Sequence, residues 1–211
     1  DYIRHACGLG APMAFQYLLM NGAQVVSTTI VAPLGNIAIA ANSFAITAES
    51  LCYMPGYGIG DAATTLIGQS VGARRADLCR SFAKMTVTTG MIVMALMGVV
   101  MYVFAPEMIG LLSPVDEIRT LGTEVLRIEA FAEPFFAAAI VSYSVCVGAG
   151  DTLRPSIINL GSMWFVRLTL AAAMAPHFGL RGVWVAMAIE LTVRGLLFLW
   201  RIARGKWLKM D

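Results

Sequence analysis

Long runs without a charged residue dominate the pattern of apolar and polar positions along the chain. These runs extend from residue 5 to 48, from 85 to 106 and from 134 to 150. A helix that crosses the hydrocarbon core of a bilayer needs about 20 consecutive, mostly apolar residues. The pattern therefore predicts a polytopic, all-α integral membrane protein.

Turn-forming residues divide this apolar sequence into six predicted spans. They cover residues 12–34, 37–72, 81–105, 118–147, 155–176 and 181–203 and make residues 1–211 one six-helix lobe. The second span would form a helix of about 54 Å, longer than the roughly 30 Å of hydrocarbon. We therefore expect a break near Pro55, where proline removes a backbone donor and clashes with the preceding turn. Pro55 and the adjacent Gly56 are candidate hinge residues, although close helix packing is the simpler role for the glycine.

Composition narrows the possible functions further. Hydrophobic residues make up 58% of the chain and charged residues 13%, which excludes most soluble folds. The formal net charge of +2 is too small to indicate a nucleic-acid surface. The four cysteines lie singly, without a nearby histidine at zinc-binding spacing, so neither a disulfide framework nor a metal site is predicted. Because the chain begins with Asp1 and shows no signal peptide, we expect it to be a fragment.

The distribution of lysine and arginine predicts the topology. Ten of the 15 basic residues lie at the termini and in the second-to-third and fourth-to-fifth connections, whereas the opposite connections hold only Arg119 and Arg181. Connections rich in Lys and Arg face the cytoplasm. Both termini are therefore predicted to be cytoplasmic in a multi-pass protein of the inner, or cytoplasmic, cell membrane.

Two segments carry a resemblance to a known family. The run AANSFAITAESLCYMPGYGIGDAATTLIGQSVGA, residues 40–73, is followed about 75 residues later by GAGDT, residues 148–152. These segments, in this order and with six spans, resemble the second, C-terminal half of the multidrug and toxin extrusion (MATE) family. The resemblance covers nearly the whole chain.

The resemblance implies a function and partners. It implies export of amphipathic, often cationic drugs or toxins by secondary active antiport, with protons or sodium as the coupling ion and no other cofactor. It also implies as partners the lipid bilayer, a small-molecule substrate, and either a missing N-terminal lobe or a second copy of the chain. Some members carry a coupling carboxylate on the first helix of this lobe, where the chain has only Gln16, Asn21 and Gln24. That site does not carry over, and Gln16 and Asn21 are retained as candidates for a substrate cavity.

Two carboxylates are the main candidates for cation coupling. Glu49 and Glu133 each lie about 18 Å along a predicted span, near the middle of the membrane. Desolvation there favours a neutral, protonated carboxyl, which could load and release a proton. Pro134 also frees backbone carbonyls and is a third candidate hinge residue. The structural alternative is that both glutamates hold neighbouring helices together by hydrogen bonds. Glu129, nearer the predicted outer end of its span, is interpreted as interfacial.

A second group of charges lies deep in the last two spans. Arg167 and Glu190 reach comparable depths from opposite faces, with Arg194 one helical turn beyond Glu190. We expect a salt bridge between adjacent helices in preference to a substrate contact.

Three other functions compete with drug export. A flippase of lipid-linked saccharides would need many deep cations to bind pyrophosphate. An intramembrane aspartyl protease is suggested by the GxGD pattern ending at Asp61 and at Asp151, but its two carboxylates must share a proton. No other catalytic motif is present, so no enzyme activity is predicted. The last alternative is a non-transporting remnant.

Overall fold

The computed structural model describes residues 1–210, which form helices and turns without a strand. The α-helices are α1 (Tyr2–Val31), α2 (Asn36–Gly72), α3 (Ala76–Leu112), α4 (Asp116–Ala130), α5 (Glu133–Gly148), α6 (Leu153–Gly161), α7 (Leu168–Phe178) and α8 (Leu180–Arg204). A short 3-10 turn, Ala32–Leu34, follows α1, and a π-helical turn, Ser162–Arg167, joins α6 to α7. The predicted all-α class is confirmed.

Most of these helices have the length and composition of membrane spans. Four helical segments meet both criteria: α2, α3, the continuous stretch from α6 through α7, and α8. The pair α4 and α5 makes a fifth when the two are counted as one span, bent by 58°. Helix α1 has 30 residues, which is enough to cross a bilayer. Its middle carries three uncharged polar side chains, Gln16, Asn21 and Gln24, and it is not among the helices that meet both criteria.

The fourth predicted span differs from the structure. The sequence predicts one continuous helix over 118–147, whereas α4 ends at Ala130 and α5 begins at Glu133. Pro134 explains the interruption, because its ring clashes with the carbonyl four residues earlier, that of Ala130, and it cannot donate to that oxygen. In contrast, α2 continues through Pro55 without interruption, so the break predicted there is not observed.

Two glycines of neighbouring helices let the broken segment pack closely. A Cβ on Gly98 of α3 would lie 2.9 Å from the carbonyl oxygen of Ala130, and one on Gly195 of α8 would lie 2.5 Å from that of Phe135. Real Cβ atoms do not approach backbone so closely. Glycine at these two positions is therefore required by the bent segment that lies against them.

Two of the three clusters of buried apolar side chains lie on either side of this bend. One cluster near the α1–α2 connection includes Ala45, Ala105 and Trp184. The other, near the α2–α3 connection, includes Ile67 and Val145 and is covered by Trp207 of the C-terminal tail. Helix α1 packs mainly against α6 and α7 and makes few contacts with α2. As a result, α1 stands apart from the α2–α5–α8 core, and a cavity lies between them.

Candidate functional site

Three glutamates converge where the fourth span is broken. Glu49 comes from α2, Glu129 from the last turn of α4, and Glu133 is the first residue of α5. Carboxylate oxygens of the three residues lie within 4.8 Å of one another. The exposed fraction is 6% for Glu49 and 0% for the other two. All four oxygens of Glu129 and Glu133 lack a hydrogen-bond partner.

The cluster contains the two glutamates that the sequence analysis selected and a third that it placed elsewhere. The structure buries Glu49 and Glu133 and brings them together, and their role in cation coupling stays a prediction. Glu129 is fully buried beside them instead of interfacial. The signal for it was its spacing, because in the continuous helix predicted over 118–147 a residue four positions before Glu133 would lie on the same face. Three convergent carboxylates are also a potential cation site, which the search for Cys and His ligands could not find.

The electrostatics of the cluster determine what it can do. Two carboxylate charges no more than 4.8 Å apart repel each other by at least about 3.5 kcal/mol at an effective dielectric constant of about 20. Three such pairs cannot all persist as bare charges in a buried site, where each ion has also lost its hydration. Protons or a bound cation would remove this repulsion. The arrangement can therefore take up and release positive charge.

A separate network joins the two buried arginines to one carboxylate. Arg167 at the end of the π-helical turn contacts Oε2 of Glu190 through Nη2 at 2.9 Å and Nε at 3.2 Å. Arg194 contacts Oε1 of Glu190 through Nη2 at 2.5 Å and Nε at 2.7 Å. The predicted salt bridge, with Arg194 as the second cation, is therefore confirmed. Both deep arginines are occupied by Glu190, which argues against the many free cations that a pyrophosphate flippase would need.

The cavity beside α1 has a volume of about 420 Å³. Gln16, Asn21 and Gln24 of α1 all line it, so the two predicted cavity residues, Gln16 and Asn21, do face a cavity. Side chains of α2, α5, α6 and α8 complete the wall, including Tyr57, Asp61, Phe136, Tyr143, Asn159 and Arg194. Glu49 and Glu133 do not line it, so the predicted site residues separate into a carboxylate cluster, an arginine network and a polar cavity.

The predicted hinge residues occupy two different settings. Gly56 is buried, and a Cβ there would lie 3.1 Å from the sulfur of Met94, which supports close packing between α2 and α3. Pro134 lies in the first turn of α5, directly after the bend. Movement at Pro55, Gly56 or Pro134 stays a prediction.

The ion pair formed by Asp151 argues against the protease hypothesis, which requires two aspartates that share a proton. Asp151 forms an ion pair with Arg201, in which both side chains are largely buried. Asp61 lies on the exposed part of α2 and lines the cavity. Asp151 is therefore paired with an arginine and not with a second carboxylate. The four cysteines are free.

Comparison with solved structures identifies the fold. The chain aligns with a MOP superfamily transporter from Pyrococcus furiosus with a TM-score of 0.89 and 16% identity, covering 96% of this chain and 46% of that one. It aligns with the Vibrio cholerae MATE transporter VcmN, in the bent form, with a TM-score of 0.87 and 17% identity, covering 96% and 48%. The six-helix lobe is therefore half of a MATE-like architecture.

Sequence relatives lead to the same family. A probable multidrug resistance protein NorM of Thermotoga maritima is 27% identical over 203 residues, which are 95% of this chain and 44% of the relative. An uncharacterized transporter, YisQ, of Bacillus subtilis is 24% identical over 211 residues, covering 99% and 46%. The chain spans about half the length of these relatives. The sequence model of the MatE family matches residues 12–173, and the chain therefore belongs to this family of membrane transporters.

Proposed function

We propose that the native protein exports amphipathic, cationic compounds by antiport with protons or sodium ions, and that this lobe binds the coupling cation at Glu49, Glu129 and Glu133. Family membership supports transport, and one relative is named as a probable multidrug resistance protein. The observation that carries the proposal is the convergence of three buried carboxylates, two of them without any hydrogen-bond partner.

Charge balance makes this cluster suitable for coupling. Arg167 lies within electrostatic range of Glu49, and the arginine network holds two positive charges against the one negative charge of Glu190. The remaining positive charge can balance only one of the three glutamates, so the other two depend on protons or a cation for neutralisation. An energy-coupling site needs this property, because the free energy of cation entry must depend on whether the site is loaded.

Transport also requires a second lobe, which would form the other wall of the substrate cleft. Family members form their cleft between two lobes related by an axis along the membrane normal. We propose that the other lobe, or a second copy of this one, faces the large apolar side chains that this lobe leaves exposed on α1, such as Phe15, Leu18 and Val25. The protein would then lie in the cell membrane with both termini of this lobe in the cytoplasm.

Transport by the native protein in proteoliposomes tests the coupling site. Ethidium efflux would be driven either by a pH gradient in sodium-free buffer or by a sodium gradient at equal pH. We expect Glu129→Gln and Glu133→Gln to reduce efflux at least tenfold, because the amide cannot exchange a proton or offer a charged ligand. Glu117→Gln, an exposed position on the same helix as Glu129, is the matched control and should export at the wild-type rate.

The two gradients separate the coupling ions. Efflux that follows the pH gradient alone identifies protons, and efflux that needs the sodium gradient identifies sodium. Wild-type efflux in both cluster variants would overturn the assignment of the site. Failure of the native protein to move ethidium under either gradient, together with movement of a labelled lipid, would replace drug export by lipid flipping.

A further inference from the structure

We propose that the seam between α3 and the α4–α5 segment binds a zwitterionic phospholipid with an amino headgroup, such as phosphatidylethanolamine. The seam has two parts. The first is a polar depression of about 800 Å³ between the C-terminal end of α3 and α4, and the second is an apolar groove of about 350 Å³ between α3 and the bend. The proposal is independent of the transport function and of the cavity beside α1.

The polar depression and the apolar groove form one continuous surface. On α3 the lining recurs every three or four positions, which is the spacing of one helix face, at Ala95, Gly98, Tyr102, Pro106 and Gly110. On the opposite side the lining passes from residue 119 to residue 134. From Ala95 to Gly110 the surface is about 22 Å long, at about 1.5 Å per residue, which gives room for a headgroup and part of an acyl chain.

The seam lies on a side of the lobe that lipid can reach. Helix α3 packs on α2, α4 and α5, whereas α1, where we place the second lobe, packs mainly on α6 and α7. The lining of the apolar groove consists of uncharged residues. Two of them, Val99 and Phe131, are 61% and 74% exposed and need an apolar neighbour. In a membrane that neighbour is a lipid chain.

A proline in α3 holds Arg127 at the border between the two parts. In a regular helix the carbonyl of Tyr102 accepts from the N–H four residues later, but Pro106 stands there and has no N–H. Nε of Arg127 donates to this carbonyl instead, at 3.2 Å, and its guanidinium lies over the Tyr102 ring, 5.1 Å from the centroid. Within residues 1–210, Nε is the only nitrogen of this side chain with a hydrogen-bond partner. A guanidinium anchored in this way presents its two Nη atoms to a phosphate.

Arg119 is held by a second carbonyl of the same kind, nearer the end of α3. Pro114 leaves the carbonyl of Gly110 without its helical donor, and Nη2 of Arg119 donates to it at 3.4 Å. Nη1 lies 3.8 Å from the exposed carboxylate of Asp116, a contact that solvent weakens. Arg119 therefore adds a second guanidinium to the polar depression.

The charges along the surface follow the order of an amino phospholipid. The apolar groove comes first, Arg127 lies at its border, and Glu107 and Glu124 line the polar depression beyond it. Phosphatidylethanolamine carries acyl chains, a phosphate and an ammonium in the same order. Glu124 is already bound to Arg181. We therefore assign the phosphate to Arg127 and the ammonium to the exposed Glu107.

Lipid binding to the purified native protein tests the site without any gradient. Native mass spectrometry counts the bound lipids and gives a dissociation constant for each lipid. We expect phosphatidylethanolamine to bind more tightly than phosphatidylcholine, whose trimethylated headgroup has no N–H to donate to Glu107. Arg127→Gln should weaken binding of both lipids about fivefold, the contribution typical of one basic side chain at a lipid surface. Glu107→Gln should remove the preference for phosphatidylethanolamine.

The apolar groove has its own pair of variants. Val99→Trp fills the groove and should weaken binding of both lipids about tenfold, since excluding two methylene groups of a chain is enough for this loss. Val103→Trp, an exposed position on the same helix outside the lining, is the matched control and should bind as the wild type does. Glycerophosphoethanolamine, the headgroup without chains, should not displace the lipid at equal concentration.

The outcomes decide between a lipid site and its alternatives. Wild-type affinity in both Arg127→Gln and Val99→Trp, or equal affinity of the wild type for the two lipids, would overturn the proposal. Displacement by glycerophosphoethanolamine at equal concentration would assign the site to a soluble phosphate compound instead of a lipid. Arg127→Gln also removes the donor to the Tyr102 carbonyl, so its thermal unfolding midpoint is compared with that of the wild type. Val99→Trp and Glu107→Gln change exposed side chains and keep the test decisive if Arg127→Gln does not fold.

Discussion

The contact of Glu190 with two arginines leads to the sharpest prediction about stability. Glu190 is fully buried, and Arg167 and Arg194 are 8% and 6% exposed. The substitution Glu190→Gln keeps the shape of the side chain but removes its charge. Both guanidiniums then remain buried beside a neutral amide. We expect a large loss of stability, because an uncompensated buried charge costs more than the original pair contributed.

The distances give the magnitude. At the heavy-atom separations of 2.9 and 2.5 Å, with charge centres about 4 Å apart, each pair gains about 4 kcal/mol at an effective dielectric constant of about 20. Desolvation offsets part of this gain, and breaking a buried pair costs about 3 to 5 kcal/mol in measured cases. For a lobe of this size, each kcal/mol shifts the unfolding midpoint by about 2 to 4 °C. Glu190→Gln should therefore lower the midpoint by about 6 to 20 °C.

The assay is thermal unfolding of the native protein in detergent, followed by tryptophan fluorescence. The second substitution, Arg194→Gln, should lower the midpoint in the wild-type background and raise it in the Glu190→Gln background, where it removes an unpaired cation. This reversal of sign is the signature of direct coupling. A wild-type midpoint for Glu190→Gln, or the same effect of Arg194→Gln in both backgrounds, would refute the reasoning.

Two further predictions concern packing. Gly98→Ala places a Cβ 2.9 Å from the Ala130 carbonyl oxygen and should lower stability by about 1 to 3 kcal/mol through overpacking. Gly58→Ala, where a Cβ has nothing within 4 Å, is the control and should not lower the thermal midpoint. Equal midpoints for the two variants would contradict the close approach of α3 to the bend. Cys7 is exposed and the other three cysteines are buried, so a maleimide should add one label to this lobe in the folded protein and four after denaturation, as mass spectrometry can count. A second label on the folded protein would disagree with the buried positions.

Much of the architecture could be predicted from local sequence features. The connection after α1 contains Pro33 and Gly35, and the one after α5 contains Gly150 at a positive φ of 83°, which glycine adopts without strain. Charge-free runs predict membrane helices because a buried charge is expensive in hydrocarbon. The pairing of Arg167 with Glu190 could be predicted for the same reason, since two deep, opposite charges stabilise each other.

Features that depend on packing between helices could not be predicted in this way. Pro55 and Pro134 both lie inside predicted spans, yet α2 continues through the first and the fourth span breaks beside the second. The difference lies in the neighbours, because Gly98 and Gly195 leave room for the carbonyls of Ala130 and Phe135. No pattern within a single helix carries that information. The interpretation of Glu129 as interfacial was wrong because its depth in the membrane was counted along one straight helix, whereas α4 and α5 meet at a bend.

The position of the glutamates relative to the bend links charge to shape. Glu129 belongs to α4 and Glu133 to α5, so the repulsion between their carboxylates acts across the 58° bend. Glu49 adds its own repulsion to both carboxylates from α2, a helix that continues without interruption past this residue. A proton or cation that removes this repulsion therefore changes the electrostatic force between α4 and α5 at the bend. The same charge placed within one straight helix would not act between two helices. For this reason we expect loading of the cluster to favour a different angle between α4 and α5, which is the kind of differential interaction that a conformational cycle requires.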